Sequence, residues 1–140
     1  MKTRRRVLSF AMLAVMLFTM ALSTLAAGSE ITPYYNNTAT TQNTFVIDEN
    51  GLATVTFTVR GYRGITTKIV VDTKIEKKSG SSWVGVGNAS WTDESTLYYC
   101  ASDHSVDLAQ RGTYKATFTY TVSGSGGATD IITRELQYTY

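Results

Sequence analysis

The chain predicts an all-β fold, a sandwich or barrel of seven short antiparallel strands. Three observations carry that prediction. Apolar and polar residues alternate with period two through most of residues 44–140, turn-forming residues rich in Gly, Ser and Asn separate the alternating runs, and no stretch shows a helical period. Composition agrees: 20 Thr and nine Tyr follow residue 26, with a single Pro, and β-branched and aromatic side chains suit a pleated, half-buried surface. Clean alternation argues against parallel strands, which are buried on both faces and read as unbroken apolar runs.

Residues 1–26 read as a secretory signal peptide. Lys2, Arg4, Arg5 and Arg6 form a basic start, "VLSFAMLAVMLFTMALSTLA" is an uncharged apolar run, and "STLAAGS" offers small residues for cleavage after Ala26 or Ala27. The run approaches the length of a membrane span. Small residues close it, however, and no basic stop follows, so cleavage is preferred to a retained anchor. No Cys follows closely enough for a lipid anchor. Cleavage removes four of the 13 basic residues and none of the 11 acidic ones, which leaves nine against eleven and a net charge of −2. Such a chain has no global attraction to nucleic acid or to an anionic membrane, and neither is expected as a partner. What remains is enough for one domain with one core. Cys100 is the only cysteine, so no intramolecular disulfide forms, and it reads as a small apolar residue in a strand.

Residues 27–43 are polar and aperiodic, which predicts a flexible N-terminal segment. Asn36-Asn37-Thr38 and Asn88-Ala89-Ser90 are formal glycosylation sequons. The domain proper spans 44–140. "TFVID" (44–48) is a short strand and "DENG" (48–51) a turn. "LATVTFTVR" sets Ala53, Val55, Phe57 and Val59 on one face and Thr54, Thr56 and Thr58 on the other. "TTKIVVDTKIEK" does the same with Ile69, Val71, Thr73 and Ile75 inward. "KSGSS" (78–82) closes a hairpin into "WVGVGNASW", and "STLYYCASDHSVDL" is a less regular strand. "GTYKATFTYTV" turns Tyr114, Ala116, Phe118, Tyr120 and Val122 to one side. "SGSGGA" then leads into "TDIITRELQYTY", which alternates to the last residue.

One local motif narrows the architecture. In "LAQRGTYKA", Leu108 precedes Tyr114 by six residues and Gly112 by two. This resembles the tyrosine corner of immunoglobulin-like and fibronectin type III domains, whose Tyr bonds to upstream backbone at the start of strand F. The resemblance implies a seven-stranded antiparallel immunoglobulin-like β-sandwich, in the order A, B, C, C′, E, F, G. It extends to Trp83 beside the C hairpin, but Ala116 stands where an antibody domain carries Cys, so the fit is to the disulfide-free branch. The features "ATVTFTVRGYRGITTKI", "SSWVGV" and "RGTYKATFTYTV", behind a signal peptide, also resemble small secreted immunoglobulin-like proteins of clostridial and related Gram-positive bacteria. That resemblance implies an extracellular location and no particular activity.

Catalysis is not expected. "DHS" (103–105) brings together the residue types of a hydrolase triad, but on a strand Asp103 and Ser105 share one face while His104 points to the other, and a triad needs converging side chains. With one His and one Cys, no metal site is expected. Without a helix following a Gly-rich run there is no phosphate cradle, and no cofactor is expected. The outward Thr54, Thr56, Thr58, Thr117, Thr119 and Thr121 read as β-formers at solvent positions, with a lattice- or polymer-matching array as the alternative. Tyr34, Tyr35, Tyr62, Trp91, Tyr98 and Tyr138 exceed what a small core needs, so some could form a sugar- or protein-binding patch. An outer-membrane barrel strand at the C-terminus is disfavoured because Arg134 interrupts its apolar face. A donor-strand role for 28–43 lacks the needed alternation.

The expectation is therefore a secreted, non-catalytic binding or structural module contacting an extracellular protein or glycan. A secreted effector, such as a bacteriocin-like or inhibitor protein, is the alternative. With no sorting motif, basic tail or apolar anchor at the C-terminus, release is expected. "RGYRG" (60–64) falls between two strands as a loop at one end of the sandwich, where Gly61 and Gly64 would permit positive φ. Arg60, Tyr62 and Arg63 are the candidate ligand loop.

Overall fold

The computed structural model describes residues 34–140; the expected signal peptide lies outside the described residues. Seven strands follow one another: β1 (Thr38–Ile47), β2 (Leu52–Gly61), β3 (Thr66–Ser79), β4 (Ser82–Ser95), β5 (Tyr99–Asp107), β6 (Thr113–Gly124) and β7 (Asp130–Thr139). They form a three-stranded sheet, β1-β2-β5, and a four-stranded sheet, β4-β3-β6-β7. Every pairing is antiparallel. The fold is thus a seven-stranded β-sandwich, with the strand order A-B-E facing C′-C-F-G of an immunoglobulin-like domain.

The core follows from the alternation. Ala53, Val55, Phe57 and Val59 of β2 face Ile69, Val71 and Ile75 of β3 and Tyr114, Ala116, Phe118, Tyr120 and Val122 of β6 in one cluster. Phe57 meets Tyr120 edge to face, with ring centroids 6.2 Å apart at 75°, and so ties one sheet to the other. Burying side chains of this size contributes about 1.5–3 kcal/mol each. Cys100 faces the same interior and is buried. Burial pushes its thiol pKa up, with Asp93 adding to the shift, so it is held as the neutral thiol.

Two tyrosines on β6 differ in one respect that matters. The Tyr114 hydroxyl donates to the backbone carbonyl of Gln110, the contact that defines a tyrosine corner, with Leu108 buried beside it. Gly112 sits in that corner with φ +153, and a Cβ there would meet Lys77 Cε at 2.9 Å. The Tyr120 hydroxyl is buried with no hydrogen-bond partner, and burial pushes its pKa up to about 12. Tyr114→Phe is therefore expected to cost about 1 kcal/mol, whereas Tyr120→Phe should cost nothing or stabilise slightly, since it removes an unpaired buried polar group. Thermal melts of the two variants check this, and equal midpoints would count against it.

Two expectations, on the first and fourth strands, need correction. The first strand starts at Thr38, not Thr44, so residues 38–43 of the segment expected to be flexible belong to a strand, while residues 27–33 of it lie outside the described residues. Asn37 and Thr38 are among the most buried polar residues, because a long-range partner, Asp130, supplies what local sequence lacks. Trp83, beside the C hairpin as expected, lies on the outer face of β4 under Lys115 Nζ, 4.9 Å from its ring centroid. The fourth strand runs on from Trp91 to Ser95 and carries a bulge. Lys74 pairs with Ser90 but Glu76 with Gly85, and Asn88 takes φ 60 within the bulge. A bulged edge resists pairing with another chain.

Candidate functional site

The end of the sandwich where β2 turns into β3 gathers the exposed arginines and tyrosines. Arg60 is the last outward residue of β2, and its cross-strand neighbour is Tyr99 at the start of β5. The guanidinium lies 5.6 Å from the Tyr99 ring centroid. Arg63, in the connecting loop, lies 5.8 Å from the ring centroid of Tyr98. Both distances fall within cation–π range. Tyr62 completes the loop, and Leu97, next to Tyr98 in the chain, is 66% exposed. Arg60, Leu97, Tyr98 and Tyr99 line an open hollow of about 340 Å³. Among the described residues, no carboxylate lies within salt-bridge distance of either guanidinium.

Much of the backbone beneath these side chains is hydrogen-bonded. Gly61 N–H donates to Tyr98 O at 2.7 Å, Tyr62 N–H to Asn37 O at 3.2 Å, and the N–H groups of Ile65 and Thr66 to Tyr62 O. On the other side, Ser95 Oγ donates to Tyr99 O and accepts from Leu97 N–H, a serine-closed turn. Gly64 has φ +79, a value that glycine adopts without cost. Gly61 has a different reason to be glycine from the one its sequence suggests. Its φ is not positive; a Cβ there would lie 2.0 Å from Thr66 Oγ1.

Under the tip sits a polar hub that links three segments. Asp130, at the start of β7, accepts from Asn36 N–H (2.9 Å), Asn37 N–H (2.7 Å) and Thr38 Oγ1 (2.8 Å). Burial alone would raise its carboxyl pKa, but the hydrogen bonds from Asn37, Asn36 and Thr38 outweigh that and hold it below the usual value. Asn37 is fully buried. Its side chain donates to Ala128 O at 2.9 Å and accepts from Gly126 N–H at 3.2 Å. Its carbonyl takes Thr66 Oγ1 at 2.5 Å as well as Tyr62 N–H. The loop carrying Tyr62 and Arg63 is thereby fastened to the β6–β7 turn and to the start of β1.

The remaining expected residues are placed elsewhere. Of the six aromatics, some of which were expected to form a patch, only two come together. Tyr62 and Tyr98 share the tip, while Trp91 stacks on His104 with centroids 4.9 Å apart. Tyr138 packs on Phe45, Tyr35 lies against the core, and Tyr34 is exposed. Leu97 and Tyr99, which belong to the tip, were not singled out by sequence; both fall in a segment whose alternation is irregular. Asp103 and Ser105 face outward, and His104 instead bonds Asp93 Oδ2 at 2.7 Å. Among the described residues, no three His, Cys, Asp or Glu side chains gather as metal ligands. Thr117, expected at a solvent position, is buried, because its row on the sheet places it between Lys74 and Glu135.

A second hollow, of about 380 Å³, lies at the opposite end among Lys77, Lys78, Val84, Val86, Leu108 and Tyr114. Its inward ammonium is already committed, since Lys77 Nζ donates to Gln110 Oε1 at 2.6 Å and sits over the Tyr114 ring. The tip is the stronger candidate because, among the described residues, neither of its guanidinium groups has a carboxylate or hydrogen-bond partner.

No protein-family model matches the chain, and no curated protein matches it. Among solved structures, a protein from Archaeoglobus fulgidus is similar at a TM-score of 0.34 and 11% identity, over 74% of this chain and 97% of that one.

Proposed function

We propose that this protein is a secreted, non-catalytic binding module whose ligand is a protein or glycan outside the cell. It docks at the tip formed by Arg60, Tyr62, Arg63 and Leu97–Tyr99. One observation carries the reading: two guanidinium groups without a carboxylate partner are held over exposed tyrosines by a backbone with little freedom left. Arg and Tyr are the residue types that dominate binding energy when they are buried by a partner. A rigid tip also loses little entropy on binding. The basic-apolar pattern of residues 1–26 supports secretion.

The test uses the protein lacking residues 1–26, incubated with cell-surface and extracellular fractions. The Arg60→Ala/Arg63→Ala double variant should bind at least about tenfold more weakly, as expected when an interfacial Arg worth over 1.4 kcal/mol is truncated. Its melting midpoint should stay within the range of surface substitutions. Undiminished capture by that variant would remove the tip from consideration.

A further inference from the structure

We infer that the tip selects an acidic glycan, that is, a polysaccharide whose sugar rings carry carboxylate or sulfate groups. This rests on the reading of the tip as the binding site. Three observations narrow the ligand.

Charge comes first. Arg60 and Arg63 present guanidinium donors that no carboxylate among the described residues satisfies within 4 Å. A planar guanidinium matches a carboxylate or sulfate edge with two parallel hydrogen bonds. The whole chain after residue 26 is slightly acidic, so this is a local site and not part of a general polyanion-binding surface.

Backbone availability comes second, and it separates glycan from peptide. An extended peptide draws much of its affinity from main-chain hydrogen bonds to its receptor. At this tip many of those groups are already occupied. The N–H groups of Gly61, Tyr62, Ile65 and Thr66 and the carbonyls of Tyr62 and Tyr98 bond one another or Asn37. Leu97 N–H and Tyr99 O are both taken by Ser95 Oγ. Recognition across these residues therefore falls mainly to side chains.

Shape comes third. The hollow bounded by Arg60, Leu97, Tyr98 and Tyr99 is open, with apolar walls beside a cation. Tyr62, Tyr98 and Tyr99 each keep about two-fifths of their surface exposed, at 39%, 39% and 41%. A pyranose has a C–H face that packs on such rings and a polar edge that the guanidinium reaches. A flat polysaccharide can run across the tip in this way without a deep pocket. A peptide hot spot, in contrast, needs a fully desolvated one.

The experiment passes the protein lacking residues 1–26 over four immobilised polymers: polygalacturonate for carboxylated sugars, heparin for sulfated sugars, neutral dextran, and poly-glutamate as an acidic peptide. Retention is expected on polygalacturonate or heparin, whichever anion the site prefers, with none on dextran and weaker retention on poly-glutamate. Arg60→Ala and Arg63→Ala should each weaken the glycan interaction by about tenfold. Tyr98→Ala should reduce glycan binding without changing the weak poly-glutamate interaction, and far-ultraviolet spectra and melts confirm that the variants fold. Equal retention on dextran, stronger retention on poly-glutamate, or no retention on either acidic glycan overturns the inference. If none of the polymers binds yet capture from surface fractions still depends on the two arginines, the ligand class is wrong and the site stands. If capture is also indifferent to the arginines, both readings fall.

Discussion

Asp130→Ala is expected to destabilise the domain by about 3 kcal/mol, because hydrogen bonds to a charged group are worth about 1.5–3 kcal/mol and buried donors left unpaired add to the loss. The carboxylate satisfies three donors at once, from Asn36, Asn37 and Thr38, and Asn37 is fully buried, so no water replaces it readily. For a domain of this size each kcal/mol moves the melting midpoint by roughly 4–8 °C. Asp130→Asn should fall between the wild type and Asp130→Ala, since an amide keeps the shape but one of its two accepting oxygens becomes a donor facing donors.

The same group sets an acid limb. Its folded-state pKa lies below the ordinary carboxylate value, so the unfolded chain takes up its proton first as pH falls. The stability it contributes is complete above the unfolded pKa of about 3.9 and is lost as pH drops through the lower folded value. A pH series of melts should show the wild-type midpoint approaching that of Asp130→Ala at the acid end. Parallel curves all the way down would show that Asp130 does not carry the linkage. Because Asn37 O also holds Tyr62 N–H and Thr66 Oγ1, Asp130→Ala should loosen the tip as well as the fold. Amide exchange at Tyr62 and Thr66 should accelerate more than at the far end of β3.

Phe57→Ala should cost about 3–5 kcal/mol, the range for truncating a large buried aromatic. Phe57 is 1% exposed, and its edge-to-face contact with Tyr120 spans the two sheets. Truncation leaves a cavity at the middle of the interface, where antiparallel strands hydrogen-bonded within their own sheets cannot collapse to fill it. Phe57→Leu keeps most of the volume and should lose about 1.5 kcal/mol or less. Denaturant midpoints at an unchanged slope check both values. A loss for Phe57→Ala no greater than for Phe57→Leu would mean that the inter-sheet packing is not where the stability resides.

The residue order by itself determined that there are seven strands and which face of β2, β3 and β6 turns inward. Side chains alternate with period two on any extended strand, so a written pattern such as Ala53-Thr54-Val55-Thr56-Phe57 carries its own burial assignment. The tyrosine motif could be read because its partner, Gln110, is only four residues from Tyr114. Tyr62 and Arg63 were legible as a loop because they interrupt the alternation between two strong strands, whereas Arg60, expected in the same loop, stands on β2 itself.

Only the tertiary structure decided which distant residues meet. Asn37 looks like loop composition until Asp130, 93 residues away, closes on it; hydrogen bonds over that separation leave no local periodicity. Likewise Tyr99 joins Arg60 through strand pairing, and Gly61 is glycine because Thr66 folds back onto it. Trp91 and Tyr138 carry the same aromatic signal as Tyr62 and Tyr98, yet packing takes them into contact with His104 and Phe45. Alternation is a local property of an extended chain, whereas the tip is made by register between strands. The physical reason is that register depends on every pairing in the sheet at once.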